Sequence, residues 1–194
     1  MKRFVVFVCF AGVLTCAAAA AQQLAYQGQN RLAVPTDYRE WVFLTSSLDL
    51  NYSDGADSRS VLDNVFVNPS AYRAFVRTGT WPDKTIIVKE NRIAASAGTI
   101  SKSGKFQTQV LNMEMHVKDE ARFPGSWAFF ISSDGKTPGV LVPKTVNCYS
   151  CHSAHGAVDT TFVQFYPTLL DIAKSKNTLS PGYLSDQQSL SATK

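Results

Sequence analysis

The sequence predicts an α+β domain built from four or five strands and a few short helices. Three observations carry that prediction. Short segments rich in β-branched and aromatic residues recur between Gly, Pro, Asn, Asp and Ser turn signals, one segment opens with a helix-start signature and closes on glycine, and the apolar residues near the C-terminus fall at helical spacing. Of the 194 residues, 45% are hydrophobic and 18% charged, which suits one globular domain and excludes a disordered, collagenous or polytopic membrane chain.

The first 21 residues stand apart. Met1-Lys2-Arg3 is a cationic start, Phe4 to Cys16 is apolar, and Ala17 to Ala21 is small and runs into Gln22 and Gln23. This is the order of a secretory signal, with cleavage expected after Ala21. Lipidation at Cys16 is the lesser alternative, because Thr15 stands where lipoprotein signals carry a small Gly, Ala or Ser. The net charge of +4 comes from 19 basic and 15 acidic residues, and removal of Lys2 and Arg3 leaves 17 against 15. So even a balance leaves no footprint for nucleic acid.

Residues 22 to 37 are polar and read as a leading segment without a core of its own. Tyr38 to Leu44 is apolar but too short for its periodicity to separate helix from strand. Asn51 to Ser60 is a loop by composition. Val61 to Val67 alternates and favours a strand. Asn68-Pro69 offers an N-cap with proline at the first helical position, Tyr72, Phe75 and Val76 form a stripe, and Gly79 closes the helix. Thr85 to Arg92 returns to a strand with Ile86 and Val88 on one face and Thr85, Ile87 and Lys89 on the other. Ser103-Gly104 turns into Phe106 to Val117, whose apolar phase slips between Val110 and Leu111 as at a bulge. Met113, Met115 and Val117 then oppose Glu114 and His116. Trp127 to Ile131 is a further aromatic strand. Val158, Phe162, Phe165 and Leu169 are spaced as on a helix that Pro167 must kink or restart. Residues 174 to 194 read as a loose polar tail, leaving a domain over residues 36 to 173.

Without the leader only two cysteines remain, Cys148 and Cys151, followed at once by His152. C-x-x-C-H in an exported chain is the attachment signature of c-type haem: both thiols add to vinyl groups, and the adjacent imidazole is held beneath the iron. A disulfide, a thioredoxin-like pair and a zinc site completed by His155 or His116 are the competing readings. Candidates for a second iron ligand are Met113, Met115, His116 and His155. His155 follows His152 by three residues and shares its side, the methionines belong to an apolar strand face, and His116 reads as an exposed or hydrogen-bonded strand residue. The expectation is therefore an open distal face.

In order along the chain, Tyr38-Arg39-Glu40-Trp41-Val42, Asn68-Pro69-Ser70-Ala71-Tyr72, Gly79-Thr80-Trp81-Pro82-Asp83, Val88-Lys89-Glu90, Val117-Lys118-Asp119-Glu120-Ala121-Arg122-Phe123-Pro124, Trp127-Ala128-Phe129-Phe130, Cys148-Tyr149-Ser150-Cys151-His152 and Phe165-Tyr166-Pro167 resemble the cytochrome P-460 family. The resemblance spans roughly residues 36 to 170. It implies a periplasmic protein with one haem c per chain, often a homodimer, with a mostly antiparallel β-sheet and a few short helices. In the hydroxylamine-oxidising branch a lysine is bonded to the haem ring, and Lys89 stands at that position. In the related cytochromes c′-β the cross-link is missing, aromatic side chains cap the distal face, and nitric oxide or carbon monoxide binds; Phe43 and Phe66 are the conceivable caps here. Against the first branch, Pro138 to Asn147 offers no acid as a base, and Asp134 is the only one near in sequence. The expectations are thus an enzyme passing electrons from hydroxylamine, with or without nitric oxide, to an external cytochrome, then a gas-binding protein, then a simple electron carrier.

Overall fold

A computed structural model describes residues 24–52, 59–98, 100, 102–125 and 127–192. The expected leader, with its cleavage point and Cys16, lies outside them. Among the described residues no helix is long and apolar enough to cross a membrane.

Eight strands form one antiparallel sheet: β1 (Tyr26–Gln27), β2 (Arg31–Leu32), β3 (Val42–Leu48), β4 (Val61–Val67), β5 (Thr85–Ala95), β6 (Phe106–Lys118), β7 (Trp127–Ser132) and β8 (Gly139–Leu141). Their order across the sheet is β1-β2-β8-β7-β6-β5-β4-β3. The strands read from sequence are its centre, and the additional ones are its edges, of which β1, β2 and β8 are too short to show a period. Between β5 and β6 the register passes from Asn91↔Asn112 to Arg92↔Val110, so Leu111 is the extra residue of the expected bulge.

Helix α1 (Pro69–Thr78) begins at proline and ends on Gly79 at φ 78°, whose N–H caps the Phe75 carbonyl. Asn68 does not cap it; its Oδ1 accepts the Ile86 N–H at 2.9 Å and ties the helix start to β5. Helix α2 (Asn147–His155) carries the cysteines, and α3 (Pro167–Ser175) starts where Pro167 was expected to restart a helix. Val158 and Phe162 lie outside any helix, in a turn bridged from Val158 to Thr161.

Each face of the sheet has its own core. Leu32, Tyr38, Trp41, Ile86, Val88, Met113, Met115, Val117 and Phe130 pack on one side, beneath Leu24, Tyr26 and Val34. The segment before residue 38 therefore covers a core, contrary to its polar reading, through apolar side chains scattered among polar ones. On the other side Val65, Val67, Ile87, Trp127 and Phe129 meet Phe75 of α1, Leu169 and Ala173 of α3, and Tyr183. Tyr183 belongs to α4 (Pro181–Ala192), which replaces the loose tail expected from residue 174 onward. Its polar composition hid a docking contact: a Cβ at Gly182 would stand 2.1 Å from the Ala154 carbonyl, so glycine alone lets α4 lie against α2.

Candidate functional site

Strand alternation sets the site. On the helix-covered face, β4 presents Asp63 and Val65, β5 presents Ile87 and Lys89, and β6 presents Glu114 and His116. These residues and those of α2 wall two adjoining cavities of about 270 and 210 Å³, which share Tyr52, Lys89, Glu114, His116, His152 and Phe162. Cys148 and Cys151 line the smaller one.

Residues 148, 151 and 152 fall on one side of α2 by helical spacing. The helix is held at that angle by the first of the two residues between the cysteines. Tyr149 stacks on Phe129 at 4.4 Å and 13°, accepts the Phe129 N–H at 3.1 Å, and donates to the Val142 carbonyl at 3.1 Å. His152 is gripped by Phe162, stacked at 4.2 Å and 25°, and its Nδ1 lies 2.8 Å from the Thr160 carbonyl. A carbonyl only accepts, so Nδ1 carries the proton and Nε2 keeps its lone pair. Burial holds the His152 imidazole below its ordinary value, against the opposing Thr160 bond, which keeps that lone pair available.

The carbonyl is aimed by strained backbone. Asp159 and Thr160 sit at φ 49° and 60°, a conformation costly for a β-branched residue. Trp81 pins the turn: its N–H reaches Asp159 Oδ2 and its indole N–H reaches Thr161 Oγ1, each at 2.9 Å. Nothing in the residue types of this turn announces positive φ, so the part it plays was invisible in sequence.

Lys89 Nζ lies 3.2 Å from Glu114 Oε1 and 3.7 Å from Asp63 Oδ2. Asp63 takes a further bond from Ser47 Oγ at 3.1 Å, and Glu114 one from Asn91 Nδ2 at 2.9 Å. Burial, opposed by the charge of Lys89, lifts the Asp63 carboxyl above the usual carboxylate range. Acids do line the cavity, and they come from β4 and β6 rather than from the segment before Cys148. Asp134 takes no part; it accepts the N–H groups of Lys136 and Thr137 in its own turn, which brings it down to about 2.

Three other expectations change. Phe43 and Phe66 pair with each other at 5.7 Å on the far face, Phe66 against Tyr38, and neither reaches the cavities, because a side chain one position along a strand crosses the sheet. His116 is neither exposed nor hydrogen-bonded in the way expected; its ring meets His152 at 4.8 Å and Phe129 at 4.4 Å, and burial, then His152, hold it well below its ordinary value. His155 turns outward to Asp186 at 2.8 Å. Met113 and Met115 are fully buried in the opposite core, as expected of packing residues.

The donor set can be tested against its candidate occupants. Cys148 and Cys151 are free thiols, and among the described residues no three His, Cys, Asp or Glu side chains converge to hold a bare metal ion. Two thiols one turn apart, an imidazole with a free Nε2, and a cleft walled by Phe129, Phe162, Ile87 and Tyr52 suit a flat porphyrin whose iron takes one protein nitrogen.

Fold and site together define a β-sheet protein that sets a helix carrying C-x-x-C-H against a cleft on one face. The Cytochrome P460 family model matches residues 35–163, about two thirds of the chain, and the protein belongs to that family. Membership makes it a haem cytochrome. Among curated proteins no match is found.

Proposed function

We propose that this chain is an exported, periplasmic haem c enzyme that oxidises hydroxylamine, with or without nitric oxide as a further reactant, and passes electrons to an external acceptor such as another cytochrome. One haem per chain is attached through Cys148 and Cys151, His152 is the iron's protein ligand, Lys89 is bonded to the porphyrin edge, and the working unit is a homodimer. The observation that carries this reading is that Lys89, Glu114, His152 and both thiols wall one cleft.

When bound, the haem supplies an iron that accepts electrons from the nitrogen substrate. The chain's own groups do the rest. Thr160 orients His152, Phe129 and Phe162 limit water, and Glu114 receives protons, which must leave an amine as its electrons do. Phe43 and Phe66, the caps expected for a gas-binding protein, lie on the far face, and the acids Glu114 and Asp63 beside Lys89 favour the enzyme reading. The electron-carrier alternative needs a sixth ligand. Met113 and Met115 are buried in the core of the opposite face, and the His116 ring packs against that of His152, so neither favours a sixth ligand.

The test is mass spectrometry after tryptic digestion of protein matured with covalent haem. A haem-bearing species containing both the Lys89 segment and the segment from Cys148 to His152 is expected, and Lys89→Ala should restore an ordinary c-haem spectrum and abolish hydroxylamine turnover. A low-spin ferric electron paramagnetic resonance signal from two strong axial ligands would overturn the open distal face.

A further inference from the structure

We propose that Asp63 is the positioning residue that makes Lys89 reactive, holding its amine at the cavity wall and taking the ammonium proton before the nitrogen bonds to the haem edge. This rests on the Lys89 linkage proposed above and assigns it a proton acceptor.

Two carboxylates flank the amine, and they are not equivalent. Glu114 is 30% exposed at its side chain, and the oxygen nearest Lys89 is already shared with Asn91. Asp63 is 8% exposed at its side chain, receives one hydroxyl bond from Ser47, and has Lys89 as its cationic neighbour. Of the other titratable groups on this wall, Tyr52, Tyr166, His116 and His152 bring no second cation to it in their neutral forms. Among the described residues little else stabilises a charge on Asp63, so at this buried carboxyl the neutral acid and neutral amine become accessible together. Only the neutral amine has the lone pair that bond formation requires.

The linkage balances with a hydroperoxide as the oxidant. One N–H bond of the neutral amine and one C–H bond of the porphyrin edge break, one N–C bond forms, and the two electrons and two protons released convert hydrogen peroxide to two waters. The third proton, that of the ammonium form, is the one Asp63 receives.

The experiment compares wild type, Asp63→Asn, Asp63→Ser and Asp63→Glu, each matured with haem on Cys148 and Cys151 and digested with trypsin. Wild type and Asp63→Glu should give the joined species, whereas Asp63→Asn and Asp63→Ser should give haem on the cysteine peptide alone, with at least a tenfold loss of joined product and unchanged covalent haem content. If either neutral variant joins Lys89 to the haem as completely as wild type does, the role of Asp63 is overturned while the Lys89 linkage stands. If wild type itself yields no joined species, the linkage fails, and this inference with it.

Discussion

Two acids one sheet-thickness apart are treated in opposite ways. Glu90, 1% exposed on the far face of β5, accepts Tyr38 Oη at 2.6 Å, Arg39 Nη2 at 2.5 Å and Arg92 Nε at 2.9 Å. Asp63, on the cavity face of β4, has one hydroxyl and one lysine. Burial raises both carboxyls, but the Arg92 and Tyr38 bonds with the Arg39 charge bring Glu90 below its ordinary value, and Asp63 stays above. On the packed face Glu90 is fully bonded, and among the described residues the buried Trp41 indole N–H is the polar group there left without a partner; on the cavity face Asp63 itself is left with few bonds.

If that comparison is right, Glu90→Leu should be the more damaging change. It strands the largely buried Arg92 guanidinium and the Tyr38 phenol, while the exposed Arg39 turns to water, and equilibrium urea unfolding should register a loss of about 4 kcal/mol. Asp63→Asn should cost far less. A larger loss for Asp63→Asn would reverse the assignment of the two faces.

Next in size is Met115→Ala. Met115 is fully buried among the apolar side chains of the far face, and truncation should cost about 3 kcal/mol. The absorption spectrum should not move, since Glu114 and His116 on either side of it point the other way. A shifted spectrum would show that the two faces are coupled through the strand.

The pH dependence sharpens the contrast further. Glu90 is lowered in the folded state, so its contribution is present above its unfolded value and is lost as pH falls through the folded one. Asp63 is raised, so it works with the opposite sign: stability it supports at acid pH is lost as pH rises through its folded value. Urea midpoints measured from about pH 3 to 7 should rise more steeply with pH in Asp63→Asn than in wild type, and less steeply in Glu90→Leu. Parallel curves would mean that the two carboxyls share one environment.

How much of this was legible in the sequence follows the same division. The strands around Lys89 and the methionines were readable because alternation is a local property, and the bulge at Leu111 was readable because a slipped phase is visible in the residue types. The motif from Cys148 to His152 was readable because two thiols one helical turn apart with an adjacent imidazole form a local pattern. What escaped depended on register between strands. Glu114 lies opposite Lys89 in β6 and Asp63 diagonally across in β4, 25 and 26 residues away, so a search for an acid close before the haem motif could not find either. Phe43 and Phe66 failed as caps for the same reason: their aromatic character was plain, but the side of the sheet they occupy was not. The docking of α4 turned on the small size of Gly182, which composition reads as a breaker.

The smallest effect expected is at His155, and it tests whether the boundary of the site runs through α2 itself. His152 and His155 are three residues apart, yet one turns into the cleft and the other pairs with Asp186 on α4 at the surface. That pair is 53% and 41% exposed at its side chains, so water and salt screen it, and a surface pair of this kind contributes under about 1 kcal/mol. The attachment of α4 rests instead on Tyr183, buried among Phe75, Leu169 and Trp127, and on the close approach at Gly182. His155→Ala should therefore change the urea midpoint barely and leave the ferric spectrum and the proposed haem attachment and Lys89 linkage as in wild type. Tyr183→Ala should loosen α4 by several times that amount, because it empties a core position. Should His155→Ala change the spectrum while Tyr183→Ala does not, the outer face of α2 would belong to the haem site, and the division between a packed face and a reactive one would have to be drawn along a different line.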